Sequence, residues 1–107
     1  MFVNLKVSPD MGGNNALLYA CNATPFNEHI VRYLIIDAGA DINVMNDYYI
    51  NCLLMATKKG KKNILKLLLE HGVDISFCDR NGYNALHIAS ASGHVDVVLM
   101  LLNYWRR

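Results

Sequence analysis

Apolar residues along this chain fall in short bursts at helical spacing. In the segment 79–102, Leu86, Ile88 and Ala89 form one burst, and Val97, Val98, Leu101 and Leu102 form the next. The second set has the i, i+1, i+4, i+5 spacing of one helical face. Gly93-His94 interrupts the two, and the polar run from Asp79 to Tyr83 carries turn chemistry ahead of them. The pattern predicts two short helices joined by a tight turn. Helices of this length do not persist alone in water, so the pair must stack against something.

The stacking partners lie in the same chain. Subtracting 33 maps Gly93 on Gly60, Leu86 on Leu53, Ala89 on Ala56, Val97 on Ile64, Leu101 on Leu68 and Leu102 on Leu69. A further copy lies upstream at an offset of 69, where Asp10, Gly13, Asn15, Ala16, Leu17 and Ala20 match Asp79, Gly82, Asn84, Ala85, Leu86 and Ala89. The linkers repeat too: Gly39-Ala40-Asp41-Ile42-Asn43 matches Gly72-Val73-Asp74-Ile75-Ser76 at 33. A helix pair with a turn, recurring every 33 residues, is the period of one class of stacked repeat.

From about Asp10 onward the chain resembles the ankyrin-repeat family. Units of that family read Asp-x-x-Gly-x-Thr-Pro-Leu-His-x-Ala-Ala-x-x-Gly-His, then a second helix, then Gly-Ala-Asp-x-Asn. Gly82-Tyr83-Asn84-Ala85-Leu86-His87-Ile88-Ala89, Gly93-His94 and Gly39 to Asn43 carry that grammar here. Three departures stand out. The Thr-Pro pair is Asn84-Ala85, Asn51-Cys52 and Asn15-Ala16; asparagine still caps a helix, but the proline favoured at its first position is missing. Leu18 and Leu54 replace the motif histidine, leaving only His87, so the polar tie between helix and hairpin is expected to weaken in the first two units. Tyr49 stands at the tip position occupied by Gly82, so that turn is expected to differ in geometry.

The resemblance implies an all-α fold: a short ankyrin-repeat solenoid of stacked helix pairs joined by hairpin-like turns. Residues 1–9 form an amino-terminal segment that reads either as the tail of a preceding linker or as unstructured chain. Residues 10–45 are the first unit, 46–78 the second and 79–107 a third, incomplete one. The first unit holds three extra residues, two in Asn22 to Asn27 and one before Gly39. Pro25 keeps the first insertion out of a helix interior. Inner helices are expected at about Ala16 to Cys21 and Cys52 to Lys58. Outer helices are expected at about Glu28 to Asp37, Asn63 to His71 and Val95 to Tyr104. Ile30, Val31, Leu34 and Ile35 should face the core. Gly39 and Gly72 suit left-handed helix caps, whereas Trp105 stands at that position in the third unit. The array is therefore expected to be a piece of a longer protein, the alternative being a C-terminal unit whose Trp105 and Arg106-Arg107 close the stack; it is expected to be marginally stable and shaped as a stacked rod.

Composition narrows the function classes. The 107 residues are 53% apolar with a net charge of +1, so no global field draws the chain to nucleic acid or anionic membrane. No apolar run reaches the roughly 18 residues of a membrane span, and Met1 to Asp10 lacks the apolar core of a signal peptide. Cys21, Cys52 and Cys78 are odd in number and scattered, which reads as reduced thiols in a cytoplasmic or nuclear protein.

Candidate chemistry is sparse. His29, His71, His87 and His94 make no i, i+4 pair for a metal; structural work is expected of them. Cys21 and Cys52 read as small buried thiols, and Cys78, just before a turn, as partly exposed. Asp10, Asp41, Asp74 and Asp79 recur at unit positions, so they should bond turn amides rather than form a catalytic pair. Gly12-Gly13 lacks the context of a phosphate loop. Lys58-Lys59-Gly60-Lys61-Lys62 puts four ammonium groups on one edge. It reads as an acid-receiving edge or nuclear import signal, against the blander alternative of a solvated turn.

In related ankyrin arrays the hairpin tips and inner helices form a concave binding strip. By register, that strip presents Asp47, Tyr48, Ile50, Lys58, Lys59, Arg80, Asn81, Tyr83, Ala91 and Ser92, with Tyr and Arg the types enriched at binding hot spots. Tyr48 packed on a neighbouring tip is the alternative for that side chain. The expected function is a protein–protein interaction module without catalysis, metal or cofactor. Its partner is another protein, with no nucleic acid and no membrane, and the chain itself a monomer. The alternative is a regulatory or targeting segment of a larger enzyme or channel whose activity lies outside this chain.

Overall fold

The computed structural model describes residues 15–23 and 25–105. The segment 1–9, the Asp10 to Gly13 part of the first unit, and Arg106-Arg107 lie outside the described residues. Within them run six helices and no strand: α1 (Ala16–Asn22), α2 (Glu28–Ile36), α3 (Cys52–Lys59), α4 (Lys62–Glu70), α5 (Ala85–Ser92) and α6 (Val95–Trp105). The five with a predicted span, all but α5, fall within a residue or so of it.

Local chemistry starts and stops the helices. Asn15, Asn51 and Asn84 cap the three inner helices, their Oδ1 atoms accepting from the amides of Leu18, Leu54 and His87 at 2.9, 3.0 and 3.0 Å. Gly60 and Gly93 end α3 and α5 in the left-handed region. In the first unit the inserted loop replaces that cap, and Ala23 ends α1 in an extended conformation. Asn27 then restarts the chain, capping α2 through the amides of His29 and Ile30. The third extra residue also shows: Ala40 N–H reaches back six residues to Leu34 O, whereas Val73 N–H reaches back five to Leu68 O.

The capping asparagines fit their sites imperfectly. Asn15 and Asn51 are buried, and their Nδ2 groups have no hydrogen-bond partner among the described residues. Asn51→Thr keeps an accepting oxygen and exchanges the fixed, orphaned NH2 for a single rotatable hydroxyl hydrogen; an unpaired buried donor carries a penalty of about 1–3 kcal/mol. That change is expected to raise the unfolding free energy in urea by about 1 kcal/mol. A loss of stability instead would show that the amide group has a hidden partner, such as a trapped water.

The pairs stack side by side: α1 packs on α3 and α3 on α5, while α2 packs on α4 and α4 on α6. Burial follows from the stacking. On the first pair, Leu18, Cys21, Val31 and Ile35 face the middle pair and are buried; on the third, Ala85, Ala89, Val97 and Leu101 face it from the other side and are buried too. The middle pair has neighbours on both sides. It buries α3 from Cys52 to Thr57, together with Ile64, Leu65, Leu67, Leu68 and Leu69 of α4. The expectation for Ile30 fails: it is 52% exposed, because its row on α2 points away from the middle pair. Leu34, in the same row, is half-buried.

Cross-unit polar ties reinforce the apolar contacts. His94 Nε2 donates to Lys58 O at 3.0 Å, Tyr104 Oη to Leu69 O at 3.2 Å, and Asn63 Nδ2 to Glu28 Oε1 at 3.3 Å. The expected rod is not evident at this length. The principal extents are 36 × 29 × 26 Å, with a radius of gyration of 13.0 Å. Helices pack about 10 Å apart, so three pairs stack to roughly the width of one unit with its tip.

Candidate functional site: the concave groove

Two hairpin-like tips precede the second and third inner helices, and both are built around one acceptor side chain. Asn46 Oδ1 accepts from the amides of Tyr48 and Ile50 at 2.9 and 3.0 Å. Asp79 Oδ1 accepts from Asn81 and Tyr83, both at 2.9 Å. The tip ends close by Asn46 N–H to Ile50 O and Asp79 N–H to Tyr83 O, each 2.9 Å. The two turns therefore match, contrary to the expectation for Tyr49. It adopts φ 61°, close to the 85° of Gly82. A side chain there costs about 1–2 kcal/mol. The ring is held in place by the Arg80 guanidinium, 5.0 Å from its centroid. The same guanidinium donates to Asp47 O at 2.7 Å, joining one tip to the next. Tyr48 remains 64% exposed; Tyr49 is the aromatic that meets the neighbouring tip.

The repeated acids do serve the turns. Asp41 Oδ1 accepts from Asn43 N–H at 2.9 Å, and Asp74 Oδ1 from the amide and hydroxyl of Ser76 at 3.0 and 2.6 Å. The two Ser76 bonds, hydroxyl first, hold the Asp74 carboxyl below its ordinary value.

Behind the tips, a groove of about 1010 Å³ runs along the inner helices. One wall is the i, i+4, i+8 row Ile50, Leu54 and Lys58; the other is the equivalent row one unit on, Tyr83, His87 and Ala91. Met55, Ile88, Leu86, Ser90, Ser92, Asp79 and Asn22 complete the lining. Of the residues expected in the strip, Ile50, Lys58, Tyr83, Ala91 and Ser92 line this groove. Asp47, Tyr48, Arg80 and Asn81 sit on the tips outside it. Lys59 lines a separate crevice with Ala23, Phe26 and Lys61. Met55, His87 and Ile88 were not anticipated. Shifting the row from Ile50 by one helical turn and by one unit would have found His87.

The lysine cluster does not form one free edge, as its spacing had implied. Lys58 points to the groove. Lys61 lies over the Phe26 ring at 4.8 Å, and Lys62 pairs with Asp96 at 3.7 Å. The helix-to-helix turn splays neighbouring side chains onto different elements.

The remaining candidates are structural. Nδ1 of His71 donates to Leu67 O at 2.9 Å. Nδ1 of His87 accepts from its own N-cap amide, Asn84, at 3.1 Å, completing a capping box. Leu18 and Leu54, which stand in for that histidine in the other units, are buried apolar contacts. Cys21 and Cys52 are buried against each other between α1 and α3. The neighbouring Cys21 thiol first, and burial second, push the Cys52 thiol well above its ordinary value, away from the thiolate a nucleophile needs. Cys78 is exposed, with its thiol donating to Ser76 O at 3.4 Å. Among the described residues no group of three His, Cys, Asp or Glu comes together to hold a metal, and no helix is long and apolar enough to cross a membrane.

Stacked helix pairs, hairpin tips and a groove along the inner helices define a helical repeat protein. A family model described as ankyrin repeats (3 copies) matches residues 17–106. The chain belongs to the ankyrin-repeat family, whose repeats generally act as protein-interaction modules. It is similar to an L-asparaginase of Dirofilaria immitis, 36% identical over 74 residues covering 68% of this chain and 12% of that protein. It is also similar to the human Notch-regulated ankyrin repeat-containing protein, 46% identical over 43 residues, 40% of this chain and 38% of that one. The potassium channel AKT1 of Oryza sativa subsp. indica is 35% identical over 83 residues, 78% of this chain and 9% of the channel. The chain spans well under half the length of each of these relatives.

Proposed function

We propose that this chain is a protein-binding module that grips a segment of a partner protein in the groove between its second and third inner helices. The carrying observation is the groove itself: a concave apolar surface with Ile50, Met55 and Ile88 along it and Tyr83, 53% exposed, at its edge. More than half of the Tyr83 surface is open beyond its contact with the His87 ring, and tyrosine is a frequent binding anchor. The tip residues Asp47, Tyr48, Arg80 and Asn81 extend the contact surface, and Lys59 lies beyond it. No catalytic role is assigned to any residue. The units 10–45, 46–78 and 79–107, a monomeric state and an intracellular location belong to the same reading.

The test is affinity capture from cell extract with the intact chain and with Tyr83→Ala, quantified by mass spectrometry. Partners held by the groove should fall about tenfold or more in the variant, the effect of losing one hot spot of about 1–2 kcal/mol. Partners retained in full by a variant with an unchanged melting curve would reject this face.

A second reading is a regulatory or targeting segment of a larger enzyme or channel. The relatives named as an L-asparaginase and a potassium channel favour it, since the match occupies only 12% and 9% of their lengths. The reading frame surrounding residues 1–107 decides between them: an adjoining catalytic or membrane-spanning domain supports the second.

A further inference from the structure

The groove is one-sided in its charge: among its polar lining, Asn22, Ser90 and Ser92 are neutral. Its only carboxylate among the described residues, Asp79, is committed to the amides of Asn81 and Tyr83. Lys58 lines the opposite end and is exposed, with no carboxylate beside it among the described residues. The other lysines of its cluster that pair or stack, Lys61 and Lys62, do so outside the groove. His87 supplies a second donor. An amide N–H cannot accept, so the 3.1 Å bond from Asn84 N–H makes Nδ1 of His87 the acceptor and places the ring proton on Nε2. The Tyr83 ring meets the imidazole edge to face at 5.9 Å and fixes its orientation. Nε2–H has no partner among the described residues. Met55 and Ile88 add apolar surface to the same lining, beside the small polar Ser90 and Ser92.

From this arrangement we infer that the groove takes an acidic, apolar-anchored peptide segment of a partner protein. An apolar side chain lies on Met55 and Ile88, and flanking Asp or Glu carboxylates accept from Lys58 Nζ and His87 Nε2–H. The inference rests on the groove being the binding face. It goes further in fixing the sign of the ligand's charge. A basic segment would leave both donors facing like charge, and a purely apolar one would bury Lys58 and Nε2–H without acceptors, which is unfavourable for each.

A phage-displayed random peptide library selected on the intact chain tests this. Enriched sequences should combine Asp or Glu with Leu, Ile, Phe or Met. The synthetic winners, followed by fluorescence anisotropy, should bind more weakly as salt rises. Lys58→Gln should weaken them about three- to tenfold, the scale of one charge contact at a partly wet site, and Lys58→Glu should weaken them further. Both changes lie on an exposed side chain, and an unchanged melting curve shows that the fold is kept. Winners that are neutral or basic yet lost in Tyr83→Ala would overturn the acidic preference and leave the groove as the binding face. Winners insensitive to Tyr83→Ala would overturn both. Tighter binding of a single-stranded oligonucleotide or an anionic vesicle than of any peptide would also reject the assignment.

Discussion

Leu68→Ala is expected to lower the unfolding free energy by about 2–5 kcal/mol, the range for truncating a fully buried leucine. Leu68 is 0% exposed on α4, in the middle pair, which alone among the three described pairs has a neighbour on each side. A cavity there loosens both stacking contacts. In a repeat array stability is close to a sum of unit and interface contributions, and a chain of about 100 residues typically has only about 5–15 kcal/mol in total. The variant should therefore melt at a much lower urea concentration by circular dichroism. An unchanged midpoint would mean that α4 is not packed between α2 and α6.

Gly60→Ala should destabilise by about 2 kcal/mol, and by clearly more than Gly72→Ala. Both glycines are left-handed, at φ 70° and 77°, so an alanine at either site is strained by about 1 kcal/mol. The difference lies in what a methyl group would meet. At Gly72 nothing among the described residues stands within 4 Å, whereas at Gly60 the new carbon falls 2.9 Å from Cε1 and 3.0 Å from Nδ1 of His94. That ring comes from the next unit and donates from Nε2 to Lys58 O. Either it stays and overlaps the methyl group, or it swings away and the bond between units is lost. Urea melts of the two variants side by side measure the cross-unit part. Equal losses would show that His94 moves without penalty.

Much of this structure is readable along the chain, for a specific reason. A unit that recurs every 33 residues must place equivalent side chains in equivalent surroundings, so Gly39 and Gly72 both adopt positive φ, and Asp41 and Asp74 both bond a following amide. Capping asparagines, turn acids and helix-ending glycines act within a few residues of themselves. Local sequence contains all the information their geometry needs. The three inserted residues are legible in the same way, as breaks in an otherwise constant period.

Other features depend on contacts that no short window contains. Ile30 has the right spacing for the core, yet nothing described stands on its side of the stack. Tyr49 looks like a defect in a glycine position until Arg80, from the following tip, lies against its ring. Four adjacent lysines look like one charged edge, but Phe26 and Asp96 each take one. His87 looks like a motif residue and becomes a groove donor only because its own helix start occupies the other ring nitrogen. Periodicity and local hydrogen bonding were enough to establish the repeat, its register and its helix ends, since these are set by neighbours along the chain. The groove, the side of each helix that is buried and the fate of every charge beside it came from the stacking of the pairs. There, residues about 33 positions apart meet, and burial and pairing are settled by which of them arrive together.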